Sequence, residues 1–215
     1  MTEVKKIDLQ TATYQDLEPA ADVLLRGGLI AGPTQSYYAL MALADKGPTL
    51  ERLASLKAGR SSDQAFLLLI DQNDRTRSYA REVSKEAKLL MDEFWPGLLT
   101  LLLPGHTGLH PLLLGKSKSV GLRVEGLAVI RRLIRLVDRG ITGTSANPHG
   151  GQPPTTIDEV LKHFGDDLDL ALDAGPTPGG SSSSIVDFTS AEPRIFRQGA
   201  IPTERIRSVC RAVAL

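Results

Sequence analysis

Apolar residues along the chain follow two spacings, and each spacing predicts one kind of secondary structure. Where they recur every third or fourth residue they form one helix face, which predicts helices over residues 16–26, 49–57, 82–94, 127–137, 157–164 and 206–215. Short apolar runs typical of strands predict strands over residues 4–9, 29–31, 65–70, 98–103, 119–124, 168–172, 185–188 and 194–199. This mixture of helices and strands indicates an α/β protein.

The strand predicted over residues 119–124 alternates most clearly. Its valine and leucine positions share one face, whereas Gly121 and Arg123 share the other. An arginine beside a glycine on an otherwise apolar strand is a candidate anion anchor, because its guanidinium fork pairs with carboxylate or phosphate. An arginine that faces solvent is the alternative.

Two polar segments lie next to predicted strands in the first third of the chain. Residues 34–40 (Thr-Gln-Ser-Tyr-Tyr-Ala-Leu) cluster uncharged hydrogen-bonding groups, which suits a small polar ligand; a turn followed by a helix with buried aromatic side chains is the alternative. Residues 57–63 carry Lys57 and Arg60 at the mouth of a strand that is apolar on both faces. These cations are candidates for a phosphate clamp, or are solvated charges favoured by the dipole of a helix end.

The segment from residue 141 to residue 151 (Ile-Thr-Gly-Thr-Ser-Ala-Asn-Pro-His-Gly-Gly) is a candidate ligand loop. Small hydroxyl and amide side chains beside glycines allow backbone N–H groups to approach an oxyanion. The alternative is a surface turn, with Thr155 or Thr156 capping the next helix. Residues 175–184, rich in Gly, Pro and Ser, have the composition of a flexible linker, or of a polar lid over a pocket.

Composition narrows the class of protein. The chain has 215 residues, a formal net charge of zero and a single cysteine, Cys210. A neutral chain has no overall electrostatic attraction for duplex nucleic acid, so we expect no DNA partner. One cysteine precludes an internal disulfide framework and suits a reducing cytoplasm. We see no apolar run of membrane-spanning length, and we expect no metal site at His106 and His110, because glycine and proline surround them.

Six fragments occur in the order of the motifs of one known family. They are residues 33–40, 95–100, 120–124, 144–150, 183–187 and 195–199. In that order they resemble Pro-Thr-Asp-Thr-Val-Tyr-Gly-Leu, Trp-Pro-Gly-x-x-Thr, Val-Gly-x-Arg-[VIL], Ser-Ala-Asn-x-x-Gly, Ser-Thr-Val-Val-Asp and Leu-Arg-x-Gly of the Sua5/YrdC/YciO family. The best-known members of that family are threonylcarbamoyl-AMP synthases. The resemblance runs from about residue 16 to about residue 201.

The resemblance implies a fold and a reaction. The fold is a single YrdC-like domain over residues 1–215: a twisted, open mixed sheet with helices on both faces and a deep, positively lined cavity. The reaction joins L-threonine, bicarbonate and ATP into threonylcarbamoyl-adenylate, releases pyrophosphate and leads to modified tRNA. Mg²⁺ would accompany ATP without a dedicated protein cage. Implied partners beyond the substrates are tRNA or tRNA-modification proteins, in the cytoplasm and away from membranes.

The resemblance also assigns residues to ligands. Threonine and its carboxylate would be surrounded by Ser36, Tyr38, Arg123 and Ser183. ATP would be held by Lys57, Arg60, Ser145, Asn147 and Arg197, with Lys57 and Arg60 as the catalytic cations. Such cations and hydroxyls suit a reaction that depends on positioning and charge neutralisation.

Several positions depart from the family pattern. Its acidic Asp and second Thr of the first motif are Gln35 and Ser36 here, and the Pro that usually follows the Arg123 strand is absent. Its Lys-x-Arg is one residue longer over residues 57–60, so Lys57 can serve only if the loop bulges. These departures leave an alternative: a non-catalytic or differently specific YciO-like paralogue that binds nucleotide or RNA. RNA binding would need a continuous basic face, and the sequence shows only a basic row of Arg131, Arg132 and Arg135 on the predicted solvated side of the helix over residues 127–137.

Overall fold

The computed structural model describes residues 2–57, 59, 65–115 and 117–214. Its helices are α1 (Tyr14–Leu25), α2 (Gly47–Leu56), α3 (Lys85–Phe94), α4 (Ala128–Val137), α5 (Ile157–Phe164) and α6 (Thr203–Val209). Its strands are β1 (Val4–Lys6), β2 (Ile30–Pro33), β3 (Tyr38–Met41), β4 (Leu68–Ile70), β5 (Leu99–Pro104), β6 (Ser119–Val124), β7 (Ile141–Thr142), β8 (Thr144–Ser145), β9 (Leu170–Asp173), β10 (Ser184–Asp187) and β11 (Arg194–Arg197). Two short 3₁₀ helices cover Asn73–Ser78 and Pro111–Leu113.

The strands form two mixed sheets. The five-stranded sheet has the order β1-β9-β2-β3-β8, and the six-stranded sheet has the order β11-β10-β5-β6-β4-β7. Both contain parallel and antiparallel pairs: β2 is parallel to β9 and antiparallel to β3, while β6 is parallel to β4 and antiparallel to β5. The predicted α/β class with mixed strand directions is therefore confirmed, and the structure divides its strands between two sheets.

Helices α1 and α4 pack together in one layer, with α1 against β2 and β9 of the five-stranded sheet and α4 against β4 of the six-stranded sheet. Leu17 and Leu24 of α1, with Ile130 and Leu133 of α4, are fully buried in one cluster with Ile30 of β2. Burying each such side chain stabilises the fold by roughly 1.5–3 kcal/mol. The helical spacing of apolar residues in the sequence thus corresponds to the faces that pack in this layer.

Helix α5 begins as the sequence predicts. The hydroxyl of Thr156 accepts the Glu159 N–H (3.4 Å), and the Glu159 carboxylate accepts the Thr156 N–H (3.3 Å). This reciprocal arrangement is a capping box, which satisfies donors that a helix start otherwise leaves unpaired. The prediction that Thr155 or Thr156 caps this helix is confirmed for Thr156.

The chain passes from one sheet to the other at Gly143, inside the candidate ligand loop. Strand β7, just before it, belongs to the six-stranded sheet, and β8, just after it, belongs to the five-stranded sheet. An added Cβ at Gly143 would lie 2.6 Å from Leu69 Cγ, so the close approach requires glycine. The Thr142 hydroxyl donates to the Leu40 carbonyl (3.1 Å) and accepts the Ala42 N–H (2.9 Å), which binds the crossing to the neighbouring sheet.

Two sequence-based expectations differ from the structure. The helix considered after residue 34 is wrong, because β3 pairs antiparallel with β2, with Pro33 opposite Tyr38. The terminal helix predicted over residues 206–215 is wrong beyond Val209, where α6 ends. Ala214 instead lies beside β11: its carbonyl accepts the Ile195 N–H at 2.9 Å, which satisfies the edge of the sheet.

The arginines of α4 are largely occupied by the protein itself. Arg131 donates to the carbonyl groups of residues 125–126 at 2.6 and 2.7 Å, and Arg132 donates to that of Ala12 at 2.8 Å. Arg135 is exposed but pairs with a buried aspartate at 3.3 Å. The prediction of a solvated basic row is therefore wrong for Arg131 and Arg132, which are partly buried.

Among the described helices, none is long and apolar enough to cross a membrane.

Candidate functional site

A cavity of about 460 Å³ opens between the two sheets. This volume lies in the range of pockets that hold small molecules. The residues around it come from the loop between β2 and β3, from the segment around β8, and from strands β5, β6, β10 and β11. Among the described lining residues, Lys57, Arg123 and Arg197 are cationic and no side chain is a carboxylate. The cavity therefore suits an anionic ligand.

The structure brings together every predicted site residue that it describes. The cavity is lined by Ser36, Tyr38, Lys57, Arg123, Ser145, Asn147, Ser183 and Arg197. The ninth predicted residue, Arg60, lies outside the described part of the chain, as does Ala58. The convergence joins positions that are far apart in the sequence, on both sheets.

Arg123 is buried, with 6% of its surface exposed, so the alternative of a solvent-facing arginine is wrong. Strand alternation places it with Gly121 on the face of β6 that lines the cavity, as predicted. Its Nη2 pairs with Oε2 of the fully buried Glu125. Its Nε is buried and has no hydrogen-bond partner among the described residues. One donor of the guanidinium is thus held by the protein, while another is left for a ligand.

Arg197 on β11 is hydrogen-bonded to Ser183, which directly precedes β10 and lines the cavity. Its Nη2 and Nε donate to the Ser183 carbonyl at 2.9 and 3.2 Å. The Ser183 hydroxyl in turn lies 2.8 Å from the hydroxyl of Thr100 on β5. Partial burial of the guanidinium, followed by the positive charge of Arg123, lowers the pKa of Arg197. A second positive charge this close is a property of a site that binds anions.

Lys57 lies at the C-terminal end of α2 and is buried at 6% exposure. Its Nζ donates to the Ser145 carbonyl (2.9 Å) and to the Asn147 carbonyl. The alternative of a solvated helix-end charge is therefore wrong for Lys57. The ammonium group both lines the cavity and fixes the backbone of the candidate ligand loop.

Asn147 is a buried polar side chain of that loop. Its Nδ2 donates to the carbonyl groups of Pro148 and Gly151, at 2.9 and 2.7 Å. Its Oδ1 is buried without a partner among the described residues. Because an unsatisfied buried acceptor costs about 1–3 kcal/mol, this oxygen favours a ligand that donates a hydrogen bond.

Ser36 and Tyr38 hold the segment that leads to the cavity residues Ser182 and Ser183. The Tyr38 hydroxyl donates to the Gly175 carbonyl (2.7 Å) and accepts the Ala174 N–H (3.0 Å), while Ser36 donates to the Ser181 carbonyl (3.2 Å). Burial raises the pKa of Tyr38, which keeps its phenol protonated. Of the residues considered as a linker or polar lid, Ser182 and Ser183 are the described ones that line the cavity. Tyr38 faces the cavity with its hydroxyl already occupied.

Several residues in or directly behind the cavity have no role among the predictions made from the sequence. Thr100 is the hydroxyl residue of an otherwise apolar strand, and Glu125 follows Arg123 at the spacing that keeps two strand residues on one face. Both signals were present in the sequence. Phe196, which is 61% exposed, and His149 of the candidate ligand loop also line the cavity. Neither residue has a distinguishing pattern in the sequence.

The fold and cavity define an α/β protein with a cation-lined site between two mixed sheets, and the comparisons identify the family. The Sua5/YciO/YrdC family model, which is described as "Telomere recombination", matches residues 22–199. Because this match spans well over half of the chain, the protein belongs to that family. The resemblance inferred from the six fragments is confirmed.

Three relatives illustrate the family. The threonylcarbamoyl-AMP synthase of Pyrococcus abyssi is 32% identical over 190 residues, which are 88% of this chain and 56% of the relative. The crystal structure of P. abyssi Sua5 with L-threonine has a TM-score of 0.90 and 30% identity, and covers 97% of this chain and 61% of that one. Escherichia coli YciO, at 22% identity and a TM-score of 0.87, covers 96% of this chain and 100% of its own, and supports the fold alone.

Proposed function

We propose that this protein is an L-threonylcarbamoyl-adenylate synthase that uses L-threonine, bicarbonate and ATP. The observation that carries the proposal is the cavity itself, where Lys57, Arg123 and Arg197 converge without a carboxylate among the described lining residues. Relatives at about one-third identity carry the synthase name, and one related structure contains L-threonine. The chain spans 56% of the first of these relatives, so the activity is inferred from the shared portion.

The proposed reaction has two steps. The amino nitrogen of threonine forms a C–N bond to bicarbonate carbon, and water leaves, which gives a carbamate. A carbamate oxygen then attacks the α-phosphorus of ATP, and the bond to the pyrophosphate oxygen breaks. Because the carbamate is a weak nucleophile, the protein contributes chiefly by aligning the reactants and neutralising charge.

Residue roles follow from the donors that face the cavity. Arg123 and the hydroxyl pair of Thr100 and Ser183 suit the threonine carboxylate, since the guanidinium retains a buried unpaired donor. Lys57 and Arg197 suit the phosphates. Arg60, which is outside the described residues, keeps its predicted place in the ATP set.

The nucleoside end of ATP fits the outer part of the cavity. The unpaired Oδ1 of Asn147 suits a donor such as an exocyclic amine. The exposed ring of Phe196 next to Arg197 offers a face on which a base can stack, a contact worth about 1–3 kcal/mol per base. The base would lie between a loop of one sheet and the edge strand of the other.

Mg²⁺ is proposed to enter with the triphosphate. Among the described residues no group of three His, Cys, Asp or Glu side chains could hold a metal ion. Phosphate oxygens and water provide the oxygen ligands that Mg²⁺ prefers. The ion would supply charge neutralisation on the leaving pyrophosphate when bound.

Pyrophosphate release tests the proposal directly. We expect release that requires L-threonine, bicarbonate and ATP together, with omission of any one abolishing the signal. Folded protein that releases no pyrophosphate and binds no ATP by calorimetry would contradict the synthase. Salt-dependent tRNA binding without turnover would instead support the binding-module alternative.

A matched pair of variants ties turnover to the cavity. Arg197 lines the cavity, whereas Arg194 lies on the same strand, is mostly exposed and pairs with Asp187 at 3.4 Å. Arg194→Ala should retain pyrophosphate release, and Arg197→Ala should lose most of it. Equal activity in the two variants would place the reaction elsewhere.

A further inference from the structure

Glu125 is a fully buried carboxylate that lies behind the cavity rather than in its lining. Its Oε2 accepts from Arg123 Nη2. Its Oε1 accepts the N–H of Gln35 at 3.0 Å and the N–H of Leu127 at 3.2 Å. Burying an ionised carboxylate is costly unless it is paired and hydrogen-bonded, and here both oxygens have partners.

These contacts join three parts of the fold. Gln35 belongs to the loop between β2 and β3 of the five-stranded sheet, whereas Arg123 lies in β6 of the six-stranded sheet. Leu127 is the N-cap of α4, where the helix dipole favours a negative charge. The side chain of Glu125 therefore bridges the two sheets behind the cavity.

The ion pair also sets the orientation of the Arg123 guanidinium. With Nη2 held by Glu125, rotation of the planar guanidinium is restricted, and the buried Nε keeps a fixed direction. The pair is neutral as a unit, so Arg123 would act on a ligand through aimed hydrogen bonds more than through net charge. A carboxylate partner that orients a ligand-binding group is a common second layer of binding sites.

Residue 35 meets this carboxylate from the five-stranded sheet. Its backbone N–H touches Glu125, and an added Cβ at Gly126 would overlap the Gln35 amide oxygen. The Gln35 side chain therefore lies against Gly126, and its amide oxygen is buried without a partner among the described residues.

We propose that Glu125 is the positioning residue that aims Arg123 at the carboxylate of the ligand. This assignment rests on the proposed function, because it takes the ligand to be L-threonine. It does not make Glu125 a group that touches the substrate.

Calorimetry with L-threonine alone tests the assignment on the intact chain. Glu125→Gln keeps an oxygen to accept the two backbone N–H groups but removes the charge that holds Arg123. We expect the Kd for threonine to rise about tenfold, the scale of one charge-assisted hydrogen bond.

The control is Glu93→Gln, which removes an exposed carboxylate paired with Arg205 and should leave the Kd unchanged. A purely structural Glu125 would lower the melting temperature and leave the Kd for threonine unchanged, and that result overturns the assignment. If Glu125→Gln does not fold, Glu125→Asp keeps the charge one methylene shorter; a raised Kd in that variant supports the assignment, and an unchanged Kd overturns it. Wild-type protein that binds no threonine contradicts the proposed function itself.

Discussion

The two walls of the cavity have different chemistry. The wall from the six-stranded sheet carries Arg123 and Arg197, each anchored by a protein acceptor: a buried carboxylate for the first and the Ser183 carbonyl for the second. The wall from the five-stranded sheet carries neutral groups such as Ser36 and Tyr38, whose hydroxyls donate to the carbonyl groups of Ser181 and Gly175. Two of the three cations among the described lining residues thus lie on the six-stranded sheet, while the third, Lys57, bonds to the Ser145 carbonyl on the other side.

This difference indicates a division of labour. The charged wall supplies the strong, directional donors that anions need, whereas the neutral wall sets the shape of the cavity through hydrogen bonds that are weaker singly. Substitutions on the charged wall should therefore change ligand affinity most. Substitutions on the neutral wall should change it less.

The largest effect is expected at Arg123. Arg123→Ala leaves Glu125 buried and unpaired, so we expect a loss of about 3–5 kcal/mol in the free energy of unfolding together with lost threonine binding. Arg123→Lys keeps a cation for Glu125 but removes the planar fork, so threonine affinity should fall at least about tenfold with a small change in stability. Chemical denaturation and calorimetry measure the two quantities separately.

Two outcomes at Arg123 would contradict the division. If Arg123→Lys binds threonine as well as the wild type does, the guanidinium fork has no role in binding. If Arg123→Ala retains full stability, the ion pair with Glu125 is not formed in solution.

A smaller effect is expected at Arg197, which is more accessible than Arg123. Arg197→Ala should weaken ATP binding by about tenfold, since it removes one charge-assisted contact. Threonine binding should fall less, because Ser183 keeps its contact with Thr100. Calorimetry with each substrate measures the two affinities, and an equal loss for both would show that Arg197 serves the cavity as a whole.

The smallest effect is expected on the neutral wall. Ser36→Ala removes a single neutral hydrogen bond of 3.2 Å to the Ser181 carbonyl, so substrate affinity should fall only about two- to tenfold. The same titration should be run beside Arg123→Lys. A loss at Ser36 greater than that at Arg123 would reverse the proposed order of the walls.

Local patterns in the sequence predicted much of the fold. The bounds of α5 and β6, the faces of β6 and the cap at Thr156 follow from periodicity and side-chain chemistry over a few residues. The hairpin of β2 and β3 was missed because the aromatic residues after position 34 fit a helix as well as a strand. The end of α6 was missed because the pairing of Ala214 with β11 depends on a contact outside the helix.

The site was predicted in part for a related reason. Residues such as Arg123 and Asn147 stand out because polar groups interrupt apolar or glycine-rich segments, and the family resemblance linked them. The burial of Lys57 on the carbonyl groups of Ser145 and Asn147 could not be predicted, since it depends on how α2 meets a loop far along the chain. The partnership of Glu125 with Gln35 likewise exists only after the two sheets meet.

The crossing at Gly143 has a consequence for how the protein unfolds. Within a few residues the backbone bonds alternately to both sheets: Thr142 N–H to Ala42 at 2.8 Å, Gly143 N–H to Leu67 at 2.9 Å, and Ala146 N–H to Tyr38 at 2.9 Å. Opening either sheet at this point would break bonds that the other sheet needs. The two sheets should therefore unfold as one cooperative unit, and the amide protons around the crossing should exchange with solvent at the rate set by global unfolding.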